Sequence, residues 1–164
     1  MTHFELCKKT AERFVSSVAL FEVSMLGILE KPDVLDFNSS GRSTLYEIKM
    51  SRSDFLADRK KYSRAMNPWF GEKRYFVCYG DFIKENEVPQ GWGLYHFKNG
   101  KFYKIKESDN FFITESERED MWKHNTYLLL NQIICEKENI VFHKRILENR
   151  EKFRKLKENK KHES

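Results

Sequence analysis

The chain has 164 residues, of which 34% are charged and 15% aromatic, and its formal net charge is +5. This length fits a single domain, and fourteen Phe residues with nearly balanced charge argue against wholesale disorder. The sequence contains no apolar run of about eighteen residues and no signal-peptide pattern, so neither a membrane span nor secretion is expected.

The spacing of apolar residues predicts helices and strands in alternation. The first helix is expected over 2–17, because apolar side chains repeat every three or four residues along one side: Phe4, Cys7, Ala11, Phe14 and Val15. Strands are then expected over 18–23, 33–37 and 43–50, with the turn segment NSSGR between the last two. A Ser/Asp capping signal opens a second helix, which is expected to end near residue 66 and to bury Phe55 and Leu56.

The second half of the chain continues this alternation. A strand is expected over 73–80, followed by a hairpin with Asn99 and Gly100 at its turn. A long helix is predicted over 114–136, and a last helix follows it. We therefore predict an α/β (α+β) fold with a mixed central sheet flanked by helices, a domain over 1–140 and a helical C-terminal tail over 141–164.

The net charge is concentrated in this tail. Residues 144–164 contain nine Lys or Arg and four Asp or Glu, so this segment carries the whole +5 and the rest of the chain is neutral. A basic tail on a neutral body indicates contact with a polyanion, and nucleic-acid phosphate is the first candidate. The alternative is a solvated helix held by its own ion pairs, and the sequence leaves both interpretations open.

The predicted strand STLYEIK contains two charged residues among apolar ones. Glu47 and Lys49 are two positions apart and therefore project from the same strand face. The general interpretation of such a pair is an edge strand with one solvated face. A catalytic interpretation requires further polar residues at the same end of the hairpin.

Asp33 is such a residue, because it stands as far before the turn centre near Ser40 as Glu47 stands after it. The two carboxylates are therefore expected to be cross-strand neighbours. Carboxylate oxygens suit Mg²⁺, which binds one or two of them together with water and substrate phosphate, and the Ile48 carbonyl is a further candidate ligand. Lys49 can orient the attacking water or stabilise developing charge.

Other polar residues are further candidates for this site. Glu22 ends the first strand and either faces the site or lies on the surface. Asp36 stands three residues beyond Asp33, so it is expected on the opposite strand face and outside the site. The five histidines show no ligand spacing, so no histidine metal site is expected. The three single cysteines predict neither a zinc ribbon nor a disulfide framework, and they favour a cytoplasmic location.

The segment KPDVLDF…STLYEIKMSRSDFLADRKK resembles the PD-(D/E)XK phosphodiesterase superfamily, with Pro32 and Asp33 as PD and Glu47, Ile48 and Lys49 as the E-x-K. The segments KRYFVCYGDFI and VPQGWGLYHF are similar to its MmcB-like branch, which is linked to bacterial DNA repair. The resemblance covers residues 3–105 and implies a restriction-endonuclease-like core. It also implies active-site roles for Asp33, Glu47 and Lys49 and, at the first strand, for Glu22. Mg²⁺ is the expected cofactor, for which Mn²⁺ can substitute.

The junction after this strand is expected to contact the substrate. Ser51, Arg52 and Ser53 lie where free backbone N–H groups and small hydroxyls can meet phosphate. Lys60 and Lys61, in the following helix, either face the substrate backbone or belong to a solvated helix face.

The leading hypothesis is a Mg²⁺-dependent nuclease that acts on nucleic acid, with DNA favoured over RNA, in repair or in the processing of phage or mobile-element nucleic acid. The alternatives are a catalytically inactive nucleic-acid-binding module and a protein-interaction adaptor on the same fold. Two carboxylates beside phosphate favour the enzyme, because without a cation they would repel the substrate. An oligomer is compatible with the sequence.

Overall fold

A computed structural model of the chain describes residues 1–22, 32–62, 71–109 and 140–142, with single positions between 114 and 126 and between 144 and 152. The described helices are α1 (His3–Phe14), α2 (Arg52–Tyr62) and a 3-10 turn (Glu85–Glu87). The strands are β1 (Val18–Phe21), β2 (Val34–Phe37), β3 (Ser43–Lys49), β4 (Lys73–Tyr79), β5 (Gly93–Lys98), β6 (Lys101–Lys106) and β7 (Ile140–Phe142).

The strands form one seven-stranded sheet in the order β6-β5-β4-β3-β2-β1-β7. The β3–β4 and β4–β5 pairs are parallel, and the other four pairs are antiparallel. Strands β1, β2 and β3 form an antiparallel meander, in which the short turn over residues 38–42 joins β2 to β3. Helix α2 provides the crossover that the parallel β3–β4 pair needs. The prediction of a mixed central sheet flanked by helices is confirmed.

The two faces of the sheet bury separate apolar clusters, because successive strand residues point to opposite sides. One cluster joins Phe55 of α2 to strand residues such as Leu45 and Phe76. The other joins the inner side of α1, including Cys7, to alternate strand residues such as Ile48. The sheet is therefore covered by α1 on one face and by α2 on the other.

Two details of helix orientation differ from the sequence-based expectation. Leu56 is 42% exposed although Phe55, beside it, is buried. Neighbouring helix positions lie about 100° apart, so only one of them faces the sheet. Phe4 of α1 is also 49% exposed, and it touches Phe21 only edge-on, at 5.6 Å between ring centroids.

The hairpin between β5 and β6 forms as predicted. Its turn residues Asn99 and Gly100 both have positive φ, at 51° and 75°. A two-residue turn of this kind needs left-handed backbone at both positions, and Asn and Gly adopt it most readily. The turn chemistry therefore fixes the register of this antiparallel pair.

The C-terminal part of the chain returns to the sheet. Strand β7 pairs with β1, so the boundary predicted between residues 140 and 141 falls within a strand. Most of the predicted helix over 114–136 and of the basic tail lies outside the described residues, and the C-terminal helical extension stays a prediction. Within the tail, Lys144 and Glu148 form an ion pair at 3.8 Å. No helix of the described residues is long and apolar enough to cross a membrane.

Candidate active site

The predicted site residues lie at one end of the β1–β2–β3 meander. Because these strands are antiparallel, the end of β1, the start of β2 and the end of β3 come together there. The first turn of α1 covers the same end, since His3 contacts both Glu22 and Asp33. This placement brings four separate parts of the chain together at one end of these three strands.

Asp33 is tied directly to the strand that carries the E-x-K. The register pairs Val34 with Tyr46, so one further step places Asp33 opposite Glu47, as the turn centre predicts. The carboxylate oxygen Oδ2 of Asp33 accepts a hydrogen bond from the Ile48 N–H at 2.7 Å. The PD aspartate and the E-x-K strand are thus held together by a specific contact.

Pro32 stands next to this contact and affects the carbonyl of Ile48. The same register puts Pro32 opposite Ile48. An antiparallel pair at this position would exchange two hydrogen bonds, but proline has no N–H to give. Residue 32 therefore cannot supply a ladder donor to the Ile48 carbonyl, while the Asp33 carboxylate takes the Ile48 N–H. This is the carbonyl that was predicted as a metal ligand.

The E-x-K pair is buried, with Glu47 only 8% and Lys49 only 2% exposed. The Lys49 ammonium Nζ lies 3.6 Å from Glu47 Oε2 and 6.0 Å from the centroid of the Phe76 ring. The edge-strand interpretation is wrong, because β3 lies between β2 and β4 in the sheet. Burial of an ion pair costs desolvation energy that its own attraction often fails to recover, so the pair is weak evidence of a role in stability.

Glu22 ends β1 with a left-handed backbone, at φ 51°. Its N–H donates to the Asp33 carbonyl at 2.8 Å, which continues the β1–β2 pairing by one residue. Its carboxylate Oε1 lies 2.8 Å from His3 Nδ1. Asn99 has the same φ but belongs to a residue type that tolerates it, whereas a left-handed conformation at Glu costs about 1–2 kcal/mol. Strain of this kind is typical of functional positions.

His3 is a site residue that the sequence analysis missed. Its Nε2 lies 3.5 Å from Asp33 Oδ1. The hydrogen bond to Asp33 is the largest cause that raises the pKa of His3 to about 9, and Glu22 adds to it against the opposing effect of burial. The imidazole is therefore protonated at neutral pH. The available signal was the His3 and Cys7 pair, four residues apart on the inner side of an amphipathic helix.

Cys7 completes the cluster on the α1 side. Its Sγ lies 3.5 Å from His3 Nδ1 and 3.6 Å from Glu22 Oε1. Burial is the first cause that raises the pKa of the Cys7 thiol, and the charges of Asp33, Glu22 and Glu47 follow. The Glu47 carboxylate thus lies within electrostatic range of the cluster, although it projects from the α2 face of β3. Cys7 and Cys78 are buried free thiols, and Cys135 lies outside the described residues.

The residues predicted to contact nucleic acid differ in their surroundings. Ser51 and Ser53 are exposed, with their hydroxyls 2.9 Å apart, and Ser51 Oγ accepts the Asp54 N–H at 3.2 Å as a cap on α2. Arg52 donates to the Phe82 carbonyl at 2.7 Å and forms an ion pair with Glu87. Arg52 therefore tethers α2 to the 3-10 turn. The side chains of Lys60 and Lys61 lie outside the described part of the chain.

Asp36 lies away from the site, as predicted. Its two carboxylate oxygens accept the N–H of Ser16 at 2.8 Å and the hydroxyl of Ser16 at 2.6 Å. Burial raises its pKa against the effect of these hydrogen bonds. Asp36 thus anchors the loop between α1 and β1.

Comparisons with known proteins add evidence on the fold. No family model matches the chain, and no curated protein matches it. Among solved structures, the chain is similar to the SPO1766 protein of unknown function from Silicibacter pomeroyi, at 16% identity and a TM-score of 0.62. The match covers 84% of this chain and 93% of that chain. At this identity the similarity shows a shared fold.

Proposed function

We propose that the protein is a metal-dependent nuclease that hydrolyses phosphodiester bonds, with DNA as the favoured substrate. The observation that carries this proposal is the hydrogen bond from the Ile48 N–H to Asp33 Oδ2, at 2.7 Å. It fixes the PD aspartate next to the E-x-K of β3. The resemblance to the PD-(D/E)XK superfamily supports the same assignment of roles.

The oxygen ligands available at this end of the strands are of the kind that Mg²⁺ binds. Mg²⁺ prefers hard oxygen ligands and binds through one or two carboxylates while keeping several waters. Asp33, Glu47 and Glu22 offer carboxylates, and the Ile48 carbonyl offers a further oxygen that Pro32 cannot engage. When bound, the ion would supply a more acidic water and neutralise charge on the reacting phosphate.

The remaining catalytic roles are assigned to residues of the chain. Asp33 and Glu47 hold the cation, and the backbone of Ile48 keeps Asp33 oriented through its N–H. Lys49 supplies a buried ammonium, which acts more strongly on developing phosphate charge than an exposed one because little water screens it. His3, protonated at neutral pH, offsets the charge of Glu22 and Asp33. The exposed serines at the start of α2, Ser51 and Ser53, are suited to contact a phosphate of the substrate backbone.

The test is a cleavage assay on the full chain. Labelled single-stranded DNA, double-stranded DNA and RNA are incubated with Mg²⁺, with Mn²⁺ or with EDTA. We expect cleavage of DNA with either metal and none with EDTA. Glu47→Gln is the matched inactive control, because it keeps the size of the side chain and removes its charge. Binding without cleavage under every metal condition would favour the inactive binding module, and neither binding nor cleavage would favour the adaptor.

A further inference from the structure

We propose that His3, Cys7 and Glu22 form a second metal site, which takes a thiophilic divalent cation of the zinc class. Their ligand atoms all lie within 4.8 Å of one another. This site goes beyond the proposed nuclease function and does not rest on it, although the two sites share Glu22. Its ligands come from α1 and the end of β1, outside the E-x-K strand.

The spacing of the three atoms suits tetrahedral coordination. Zinc bonds of about 2.0 Å to nitrogen or oxygen and about 2.3 Å to sulfur separate sulfur from either of the other ligands by about 3.5 Å. Cys7 Sγ lies 3.5 Å from His3 Nδ1 and 3.6 Å from Glu22 Oε1. His3 Nδ1 and Glu22 Oε1 are hydrogen-bonded at 2.8 Å, and this contact would open by about 0.5 Å to admit the ion.

The second nitrogen of His3 supports the same assignment. Metal-binding histidines donate their other ring N–H to a carboxylate or carbonyl, which fixes the ring orientation. With Nδ1 at 2.8 Å from Glu22 Oε1, the Nε2 of His3 lies 3.5 Å from Asp33 Oδ1. Cys7 Sγ lies 4.0 Å from the same Nε2, so the imidazole would turn slightly to direct Nδ1 at an ion shared with Cys7. Asp33 is itself held by the Ile48 N–H at 2.7 Å. The outer partner of the metal-binding histidine is thus already in place.

The chemistry of the ligands selects the ion. Thiolate and imidazole favour zinc and its neighbours, whereas Mg²⁺ requires oxygen ligands. Binding of the ion would release the proton of the Cys7 thiol and one proton of the His3 imidazole to solvent, because thiol and imidazole ligands bind a metal in their deprotonated and neutral forms. Three protein ligands leave the fourth position to water or to a substrate oxygen.

The experiment uses the full chain, reduced with a phosphine and titrated with Co²⁺, which takes the same ligands as zinc and reports them by absorption. We expect a sulfur-to-cobalt charge-transfer band that saturates at one thiolate-bound ion per chain and that Zn²⁺ removes. Cys7→Ser should lose the band. The matched control Cys78→Ser should keep it, because Cys78 is a buried free cysteine in the cluster on the α2 face.

Two further variants protect the test against misfolding of Cys7→Ser. His3→Gln changes a side chain that is 38% exposed and should weaken zinc affinity more than about a hundredfold. Asp33→Asn should keep the cobalt band and weaken zinc affinity about 10- to 100-fold, as loss of an outer partner does. A wild-type chain without the band, a band that survives in Cys7→Ser, or an unchanged zinc affinity in His3→Gln would overturn the proposal. None of these measurements depends on nucleic-acid cleavage, so failure here is distinct from failure of the nuclease proposal.

Discussion

Both ends of the β1–β2–β3 meander carry buried acidic residues, but the groups that surround the carboxylates differ between the two ends. At one end, a polar cavity of about 260 Å³ is lined by residues that include Asp36, Arg42 and Glu72. There Asp36 accepts two hydrogen bonds from Ser16, and Arg42 Nε contacts Glu72 Oε2 at 2.6 Å. The carboxylates of Asp36 and Glu72 are thus each engaged by a specific hydrogen-bond donor.

At the other end, the carboxylates of Glu22, Asp33 and Glu47 share their surroundings with one imidazole and one buried ammonium. Glu22 adopts a left-handed backbone there, at φ 51°. Neighbouring carboxylates repel one another, and positive charge among them, from His3, Lys49 or a bound cation, relieves that repulsion. Burial of acids alone therefore does not mark a site. The informative feature is that three carboxylates come from three neighbouring strand ends, beside His3 and Lys49.

The largest expected effect comes from Asp33→Asn. The amide oxygen can still accept the Ile48 N–H, so the fold should persist while the negative charge is lost. Loss of a metal contact worth several kcal/mol corresponds to a fall in turnover of about a thousandfold. Turnover is measured with saturating DNA, and thermal unfolding is measured beside it. Near-wild-type turnover would remove Asp33 from the site.

Lys49→Met is expected to lower turnover by at least about a hundredfold, the effect of losing one electrostatic contact to the transition state. Lys73→Met is the matched control, because Lys73 lines the polar cavity and its side chain is 41% exposed. Circular dichroism establishes that both variants are folded before rates are compared. A folded Lys49→Met that cleaves as fast as Lys73→Met would show that the buried ammonium has no catalytic role.

Asp36→Ala tests the opposite end of the meander. It leaves the Ser16 N–H and hydroxyl without their acceptor, which should lower the free energy of unfolding by about 1–3 kcal/mol. Turnover at saturating substrate should stay unchanged below the unfolding transition. Urea unfolding and the cleavage assay give the two values. A fall in turnover without a fall in stability would contradict the division between the two ends.

The smallest effect concerns Glu107, which pairs with Lys73 beside the polar cavity. Contacts with Lys104, then Tyr75 and then Lys73 lower the pKa of Glu107 from 4.5 to about 2. A lowered carboxyl pKa contributes stability above the ordinary pKa and loses it as pH falls from 4.5 towards 2. The contribution should be less than about 1 kcal/mol, because the side chain is half-exposed. Thermal unfolding of Glu107→Gln should show a flatter pH dependence over this window, and an identical profile would contradict it.

Local sequence patterns were sufficient to predict the helices and strands of the sheet and the pairing of Asp33 with Glu47. The NSSGR turn sets Asp33 opposite Glu47 by simple counting, and the β2–β3 register agrees with it. The Asn99–Gly100 turn likewise set the β5–β6 hairpin. These features depend on neighbours along the chain, so period and turn chemistry were sufficient.

Long-range contacts, in contrast, fix which strands are central and which residues join the site. Edge and centre depend on parallel pairing across the α2 crossover, which no local pattern encodes, so the sequence left open whether Glu47 and Lys49 are buried. His3 and Cys7 come from α1, and nothing local ties them to Glu22 and Asp33. The packing of α1 on the sheet brings them together, because burying its apolar side places its first turn over the end of β1.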